Sequence, residues 1–477
     1  MTSLVSSLTR LLPIRSSLFF RLTSMRVFAT VASRSRSFRR SRDTMMRLAV
    51  AVVATTVLTA CHGLLDVSDP TLVRDSDIAN PAGANARRLD VVQYLNNTAS
   101  QLAIDGAVLT DEITIDYIFT TSPSYLDKRD SQGYEAAAKT TDVHLGLWDQ
   151  VYYQSTIAIN AVRAYSPDSV RSEYLGQLYA IRGYAALQVA EDMCPGFPLN
   201  DVTADNGTKF SGPLTTDSAV SIASAALDSA VTYAHDSTRF VVLARVAKGR
   251  ALLDQGKYAE AAAVVASVPT DSTYLTDGPY NYLNSYTRPA RRWFSDDLHY
   301  AVMDHEGTNG LAWVSEHDPR VGTVRGGPRW TDSTDTLFKT NKYPSSTTAF
   351  VLASGVEARL IEAEAALNAG DPNWLTILNT LRANSVTPAV PPLVDPVTPS
   401  ARVDLLYHER AFWLYLTGRR LGDLRRLIKN YGRTAESVFP TGAYSAGGTF
   451  GSATAIPFIL AGQQLSNPYI AAGCTTR

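Results

Sequence analysis

Two short segments carry the side chains best suited to chemistry. Asp304-His305-Glu306-Gly307 and Ser315-Glu316-His317-Asp318 each bring a histidine together with carboxylates, the residue types of acid–base catalysis and metal ligation. Their spacing argues against both uses. Neither has the i, i+4 histidines of a helical zinc site, and adjacent residues on an extended chain point apart rather than converge. No EF-hand spacing supports calcium, and no Cys/His spacing suggests structural zinc. The segments read as solvated loops or structural hydrogen-bond sites, so no catalytic residue, metal or cofactor is assigned.

Aromatic residues offer better material for binding. Residues 270–345 are rich in Gly, Pro, Ser, Thr and Asp and contain Tyr280, Tyr282, Tyr286, Trp293, Trp313, Trp330 and Tyr343. A loop-rich stretch of this length inside a folded domain is usually functional. Sugar rings have apolar C–H faces that stack on Trp and Tyr, while their hydroxyls need polar groups at the edge. Trp293, Trp330 and Tyr343 are the leading ligand-binding candidates. Tyr280 follows, as does Tyr125 in Thr121-Ser122-Pro123-Ser124-Tyr125. The competing reading for each ring is core packing, since Trp and Tyr are usually well buried.

Helices must position these loops. Between Thr216 and Ala234 the apolar set Val220, Ala223, Leu227, Ala230, Val231 and Ala234 recurs at steps of three and four, which predicts an amphipathic helix. Val356, Leu360, Ala363 and Leu367 predict another, stopped by Gly370-Asp371-Pro372. Leu405, Phe412, Tyr415, Leu416, Leu424 and Leu427 predict a long helical stretch broken near Thr417-Gly418. Ala247 to Ala261, with Gly256 in the turn, resembles a tetratricopeptide helix pair, as do Ala180 to Leu187 and, more weakly, Arg359 to Leu381. Their uneven spacing suggests helix pairs embedded in a larger fold. Pro388, Pro391, Pro392, Pro396 and Pro399 predict a stiff surface crossing before the last long helices. In the basic run Arg419 to Lys429, Asp423 stands four residues after Arg419 and three before Arg426, which predicts local ion pairing rather than an external anion site.

The N-terminal region addresses location. Leu48 to Leu58 is an apolar and small-residue run behind Arg47, ending Leu58-Thr59-Ala60-Cys61. It is about half the roughly 20 apolar residues a membrane-spanning helix needs, so it reads as a secretion signal over 45–60. The last four residues resemble the lipobox of bacterial lipoproteins, in which the cysteine is acylated. Residues 1–44 hold nine Arg, no Lys and one acid, and read as an over-extended start before an initiator at Met45 or Met46. Beyond residue 60 there remain 34 basic and 44 acidic residues, a net charge of about −10, which argues against a nucleic-acid partner. With 45% hydrophobic and 19% charged residues the chain is ordinary for a globular fold rather than a disordered one. If Cys61 carries lipid, Cys194 and Cys474 are left over in an oxidising compartment, either bridged or as free thiols.

In order along the chain, several motifs resemble the SusD/RagB family of outer-membrane nutrient-binding lipoproteins. Cys61 is followed by Leu64-Leu65-Asp66-Val67 and Asp69-Pro70; Trp148, Tyr152, Ile157 and Asn160 match an aromatic-then-Asn helix; and Leu178 to Pro198 is a Gly-Tyr helix running into a Gly196-Phe197-Pro198-Leu199 turn. Glu409-Arg410, Gly418-Arg419-Arg420 and Asp423-Leu424-Arg425-Arg426 carry the strongest similarity, with Pro457 and Asn467-Pro468 closing it. Leu421-Gly422 stands where the family often has an aromatic residue, and Cys194 and Cys474 are not general family features. The resemblance implies a mostly α SusD-like fold over 61–477, with helix pairs at about 148–268 and 351–430 and a loop-rich subdomain at about 270–345. It also implies a non-enzymatic surface lipoprotein of the outer membrane, a SusC-like TonB-dependent barrel as partner, and an oligosaccharide or peptide as ligand. An exported tetratricopeptide scaffold is the main alternative, and an exported hydrolase using Asp/Glu pairs the weaker one.

The anchor can be tested directly. Cys61→Ala should leave the protein unprocessed or soluble in the periplasm, since stable anchoring needs more than one acyl chain. Undiminished acyl labelling and membrane partition in this variant would contradict the assignment.

Overall fold

The apolar stripes and glycine breaks become helices and turns at the expected places. The computed structural model describes residues 78–116, 122–131, 133, 143–203, 207–234, 238–276, 300–329, 333, 335–344 and 348–457. Its helices are α1 (Pro81–Leu109), α2 (Ser122–Asp127), α3 (Val143–Tyr165), α4 (Asp168–Asp192), α5 (Thr216–Tyr233), α6 (Thr238–Asp254), α7 (Tyr258–Val265), α8 (Gly355–Asn368), α9 (Asn373–Asn384), α10 (Pro399–Trp413), α11 (Arg420–Tyr431) and α12 (Ala435–Val438). The strands are short: β1 (Thr114–Ile115), β2 (Asp201–Val202), β3 (Thr208–Lys209), β4 (Thr273–Leu275), β5 (Tyr300–Ala301), β6 (Thr323–Pro328), β7 (Thr336–Thr340) and β8 (Val351–Ser354). Among the described residues no helix is long and apolar enough to cross a membrane.

Small residues set how closely the helices pack. Two of the expected pairs form, α6 with α7 and α8 with α9; Ala180–Leu187 lies wholly within α4, which packs on α5 across the intervening loop. A Cβ on Gly249 in α6 would stand 2.7 Å from Val265 Cγ1 of α7 and 3.0 Å from Ile361 Cδ1 of α8, so glycine is what lets three helices meet there. Between α10 and α11, Gly418 takes φ +75°, a left-handed turn that ends one helix and lets the next leave in a new direction. The proline-rich crossing at 386–398 runs over the surface, held where Asn379 accepts from the Leu393 N–H at 2.7 Å.

The loop-rich segment is an insertion between α7 and α8. It leaves the helical body along β4 and returns along β8, which pair antiparallel with Tyr274 opposite Ala353. Part of it is pinned a second time where β5 pairs with β1, Thr114 opposite Ala301, while β6 and β7 form its own hairpin with Val324 opposite Lys339. These strands are held by side chains below as much as by their few ladder bonds.

Beneath the insertion lies a buried ionic lattice. Arg410 of α10 donates from Nε and Nη2 to both oxygens of Asp423 at 2.8 Å. Arg426 donates to Asp423 at 2.7 Å and to both oxygens of Glu364 in α8 at 2.9 and 3.1 Å, and Tyr407 donates to the same carboxylate at 2.9 Å. Arg420 reaches Asp111 at the end of α1, and Glu409 accepts from Arg320 of the insertion and from Arg382 of α9. Local pairing holds for Asp423 with Arg426, but Arg419 turns away from Asp423 and donates to Glu357 of α8 at 3.0 Å. The reason is geometric: Arg419 lies before the first turn of α11, so its side chain leaves the helix surface.

Other buried carboxylates are less fully compensated, Asp254 having a single contact from Arg426 at 3.2 Å. Burial pushes Glu112 up to about 8, opposed by its bond from the Leu416 N–H and by Arg420. Burial also pushes Asp127 and Asp254 to about 7, the latter with Glu191 adding to the effect. Such acids bind protons more tightly folded than unfolded, so the stability they give is complete below the unfolded carboxylate range and is lost as pH rises towards their folded values. Asp423, buried yet held below its ordinary value by Arg410 and Arg426, titrates in the acid range outside that window. The denaturant midpoint should therefore fall as pH is raised from about 5 to about 8, and Glu112→Gln should flatten part of that fall. A midpoint constant or rising over this range would contradict the assignment.

Candidate functional site

The two segments with apparent chemistry are occupied by structure. Asp304 accepts from the N–H groups of Val314 and Ser315, both at 3.0 Å, and so closes the loop between them. His305 and His317 stand at φ +56° and +50°, as turn residues do. Asp318 pairs with Arg320 at 2.7 Å, and Glu316 meets His408 of α10 at 2.9 Å. Glu306 turns inward, 2% exposed, and burial together with nearby Asp127 raises its pKa well above the ordinary carboxylate range. Among the described residues no three His, Cys, Asp or Glu side chains are grouped to hold a metal ion.

The aromatic candidates divide. Tyr343 is corrected from a ligand-stacking ring to a core one: it is 1% exposed, stacks on Phe350 at 6.0 Å between centroids, and donates its hydroxyl to the Leu416 carbonyl at 2.7 Å. A ring packed in this way presents no face to a sugar. Trp313 is core as well, fully buried at 4.9 Å from Phe412 and 4.8 Å from Tyr415. Tyr125 is half-buried in α2 and packs against the core, with Gly133 lying against its ring. Trp293, Trp330 and Tyr280 lie outside the described residues, as do Cys61 and Cys474. Cys194 is disulfide-bonded.

Among the described residues, two recesses bordering the helical body stand out. One, of about 170 Å³, lies where the end of α4, the start of α5, the end of α6 and the Gly422, Arg425, Arg426 and Lys429 side of α11 meet. Its charges are already matched, Lys429 with Asp217 and Arg426 with Asp254, while Arg425 donates to the carbonyls of Ala190, Glu191 and Met193 and so caps α4. This is helix-end packing with little left over for a ligand.

The other recess, of about 140 Å³, lies at the base of the insertion. Thr273 of β4, Val351 and Ser354 of β8, Val356, Lys342 and Trp413 surround its mouth, each exposed or half-buried, and Glu357, Leu414 and Thr417 form a buried floor. The volume suits about one sugar ring. Sequence reasoning passed over Trp413 because it belongs to the helix α10, yet it falls off the stripe of Leu405, Phe412 and Tyr415. A tryptophan off the apolar face was the legible signal. Lys342 follows β7 and carried no such signal.

No family model matches the chain, and no curated protein matches it. Solved structures do. A SusD superfamily protein from Bacteroides thetaiotaomicron VPI-5482 superposes with a TM-score of 0.58 at 12% identity, over 73% of this chain and 89% of that one. Surface glycan-binding protein A from Bacteroides uniformis gives 0.57 at 13%, over 81% and 98%. A SusD-like carbohydrate binding protein from Bacteroides vulgatus ATCC 8482 gives 0.53 at 13%, over 73% and 83%. At such identities the likeness speaks for architecture. The mostly helical body with its few short strands and the agreement of these neighbours together give the chain the SusD-like fold.

Proposed function

We propose that this chain is a lipid-anchored capture protein of the outer-membrane surface that binds oligosaccharides and passes them to a SusC-like TonB-dependent barrel. The observation that carries the reading is the SusD-like architecture, with a polar, aromatic-rich insertion mounted on rigid helix pairs. Two of its structural neighbours bear names that describe glycan or carbohydrate binding. Function on such a scaffold resides in the loops, because helices hold their geometry while loops vary. Binding and release, with no covalent step, are what the arrangement performs. Cys61 holds the lipid, and Cys194 takes Cys474 as its disulfide partner, tying the C-terminal tail to the turn after α4.

Trp293 and Trp330 remain the leading stacking candidates, with Tyr280 and Tyr125 behind them. Replacing a true stacking ring with Ala should weaken oligosaccharide binding by about 5- to 150-fold, roughly 1–3 kcal/mol, with little change in thermal unfolding. Tyr343→Ala should behave oppositely and destabilise the fold by about 3–5 kcal/mol, as loss of a buried ring does. Titration of the full chain with neutral and acidic oligosaccharides and with peptides of similar size decides between ligand classes. Peptide binding without glycan binding, or normal glycan binding by all four ring variants, would contradict this reading.

A further inference from the structure

The loop that carries Glu306 is held down by the C-terminal part of the chain. Its Thr308 N–H donates to the Thr441 carbonyl at 2.9 Å and Asn309 donates to the Phe439 carbonyl at 3.0 Å, so residues 439–453 lie along it as a strap. The same strap fastens the end of α2. Gly451 and Ala453 donate to the Lys128 and Arg129 carbonyls at 2.8 and 3.1 Å, and Arg129 donates to the Pro440 and Ala453 carbonyls at 2.7 and 2.9 Å. Glu306 of the insertion, Asp127 of α2 and Tyr444 of the strap thus share one closed interior.

The two carboxylates there are unequally served. Asp127, 1% exposed, accepts at one oxygen from the Thr114 hydroxyl at 2.9 Å, the Ile115 N–H at 2.8 Å and the Tyr444 hydroxyl at 2.6 Å, while its other oxygen is buried without a partner. Both oxygens of Glu306 are buried without a partner. The nearby Thr114 hydroxyl already gives its proton to Asp127. The remaining charges around the pair have other partners: Asp111 takes Arg420, and Arg329 lies 3.3 Å from Asp116 and 3.5 Å from Asp335.

A buried carboxylate with no donor is costly to ionise, and more so beside a second carboxylate. A proton is the donor that Glu306 lacks, and the unpartnered oxygen of Asp127 is its natural acceptor. Asp127, with three donors of its own, is the member that keeps the charge. We propose that Glu306 and Asp127 form a proton-dependent clasp: while Glu306 holds its proton the insertion loop and the strap stay shut against α2, and loss of that proton to solvent parts them. Burial and then Asp127 raise the pKa of Glu306 well above the ordinary carboxylate range, with Arg329 opposing. The clasp is therefore fully made below that ordinary range and is lost as pH rises through the raised value. It makes the seating of the insertion sensitive to pH whatever ligand the insertion takes.

The test is amide hydrogen exchange of the full chain between about pH 6 and about pH 9, corrected for the chemical exchange rate at each pH. Protection of the Thr308 and Gly451 amides, which bridge the loop, the strap and α2, should fall by about tenfold or more in wild type, with α5 changing less. Glu306→Gln carries its own donor at every pH and should keep that protection nearly constant. Asp127→Asn offers Glu306 an amide donor when it ionises and should also flatten the fall, so it carries the decision if Glu306→Gln does not fold. Protection independent of pH in wild type, or a fall in the folded variants as steep as in wild type, would overturn the clasp.

Discussion

A carboxylate with no access to water organises the centre of this molecule. Glu364 of α8 accepts hydrogen bonds from Arg426, Tyr407 and Tyr431, and Arg410 stands 3.6 Å away. Each ion carried out of water costs several kcal/mol, and only close, multiply bonded partners return it. The molecule meets that demand by gathering Arg410, Arg426 and Asp423 from α10 and α11 around one point of α8. The consequence is directional. An apolar core would tolerate small shifts of these helices, whereas a bidentate guanidinium–carboxylate pair fixes both distance and angle.

That fixity spreads outward to the loops. Glu409, on the same helix as Arg410, holds Arg320 of the insertion and Arg382 of α9, and Arg420 holds Asp111 beside β1, the strand that pairs with β5. The insertion is thus tied to the helical body by ion pairs as well as by the β4–β8 ladder. Trp313, wedged against Phe412 and Tyr415, adds an apolar anchor to the same face of α10. Binding loops mounted this way keep the orientation that a carbohydrate needs, since weak stacking and hydroxyl contacts act together only when they are placed in advance.

Much of the scaffold was legible because its causes are local. The three- and four-residue stripes of α5 and α8, the Gly370 stop and the left-handed turn at Gly418 are all properties of a few neighbouring residues. The Arg- and Asp-rich helix pair was recognisable too, but not who bonds to whom: Arg419 finds Glu357 62 residues earlier in the chain. Strands of two or three residues, such as β1 and β5, are too short to show a period at all. The binding site was the least legible part. Tyr343 and Trp313 sit in loop-like sequence yet are core, because the insertion folds back onto α10, and Trp413 sits in helix-like sequence yet faces a recess. The burial of Tyr343 and Trp313 cannot be read without knowing which surfaces the insertion covers, and for Trp413 the one signal is its place off the apolar stripe.

The ionic lattice, rather than apolar packing alone, fixes the helices beneath the insertion. A double-mutant cycle on Arg410→Met and Asp423→Leu, followed by denaturant unfolding, measures it. Each single change takes a bidentate partner from a buried charge, leaving Asp423 with Arg426 alone or Arg410 with Glu364 at 3.6 Å, and should cost about 3–5 kcal/mol, while the double variant should be no worse than the poorer single one, a coupling of about 2 kcal/mol or more. Small and additive losses would show instead that the lattice is incidental and that packing alone holds the scaffold.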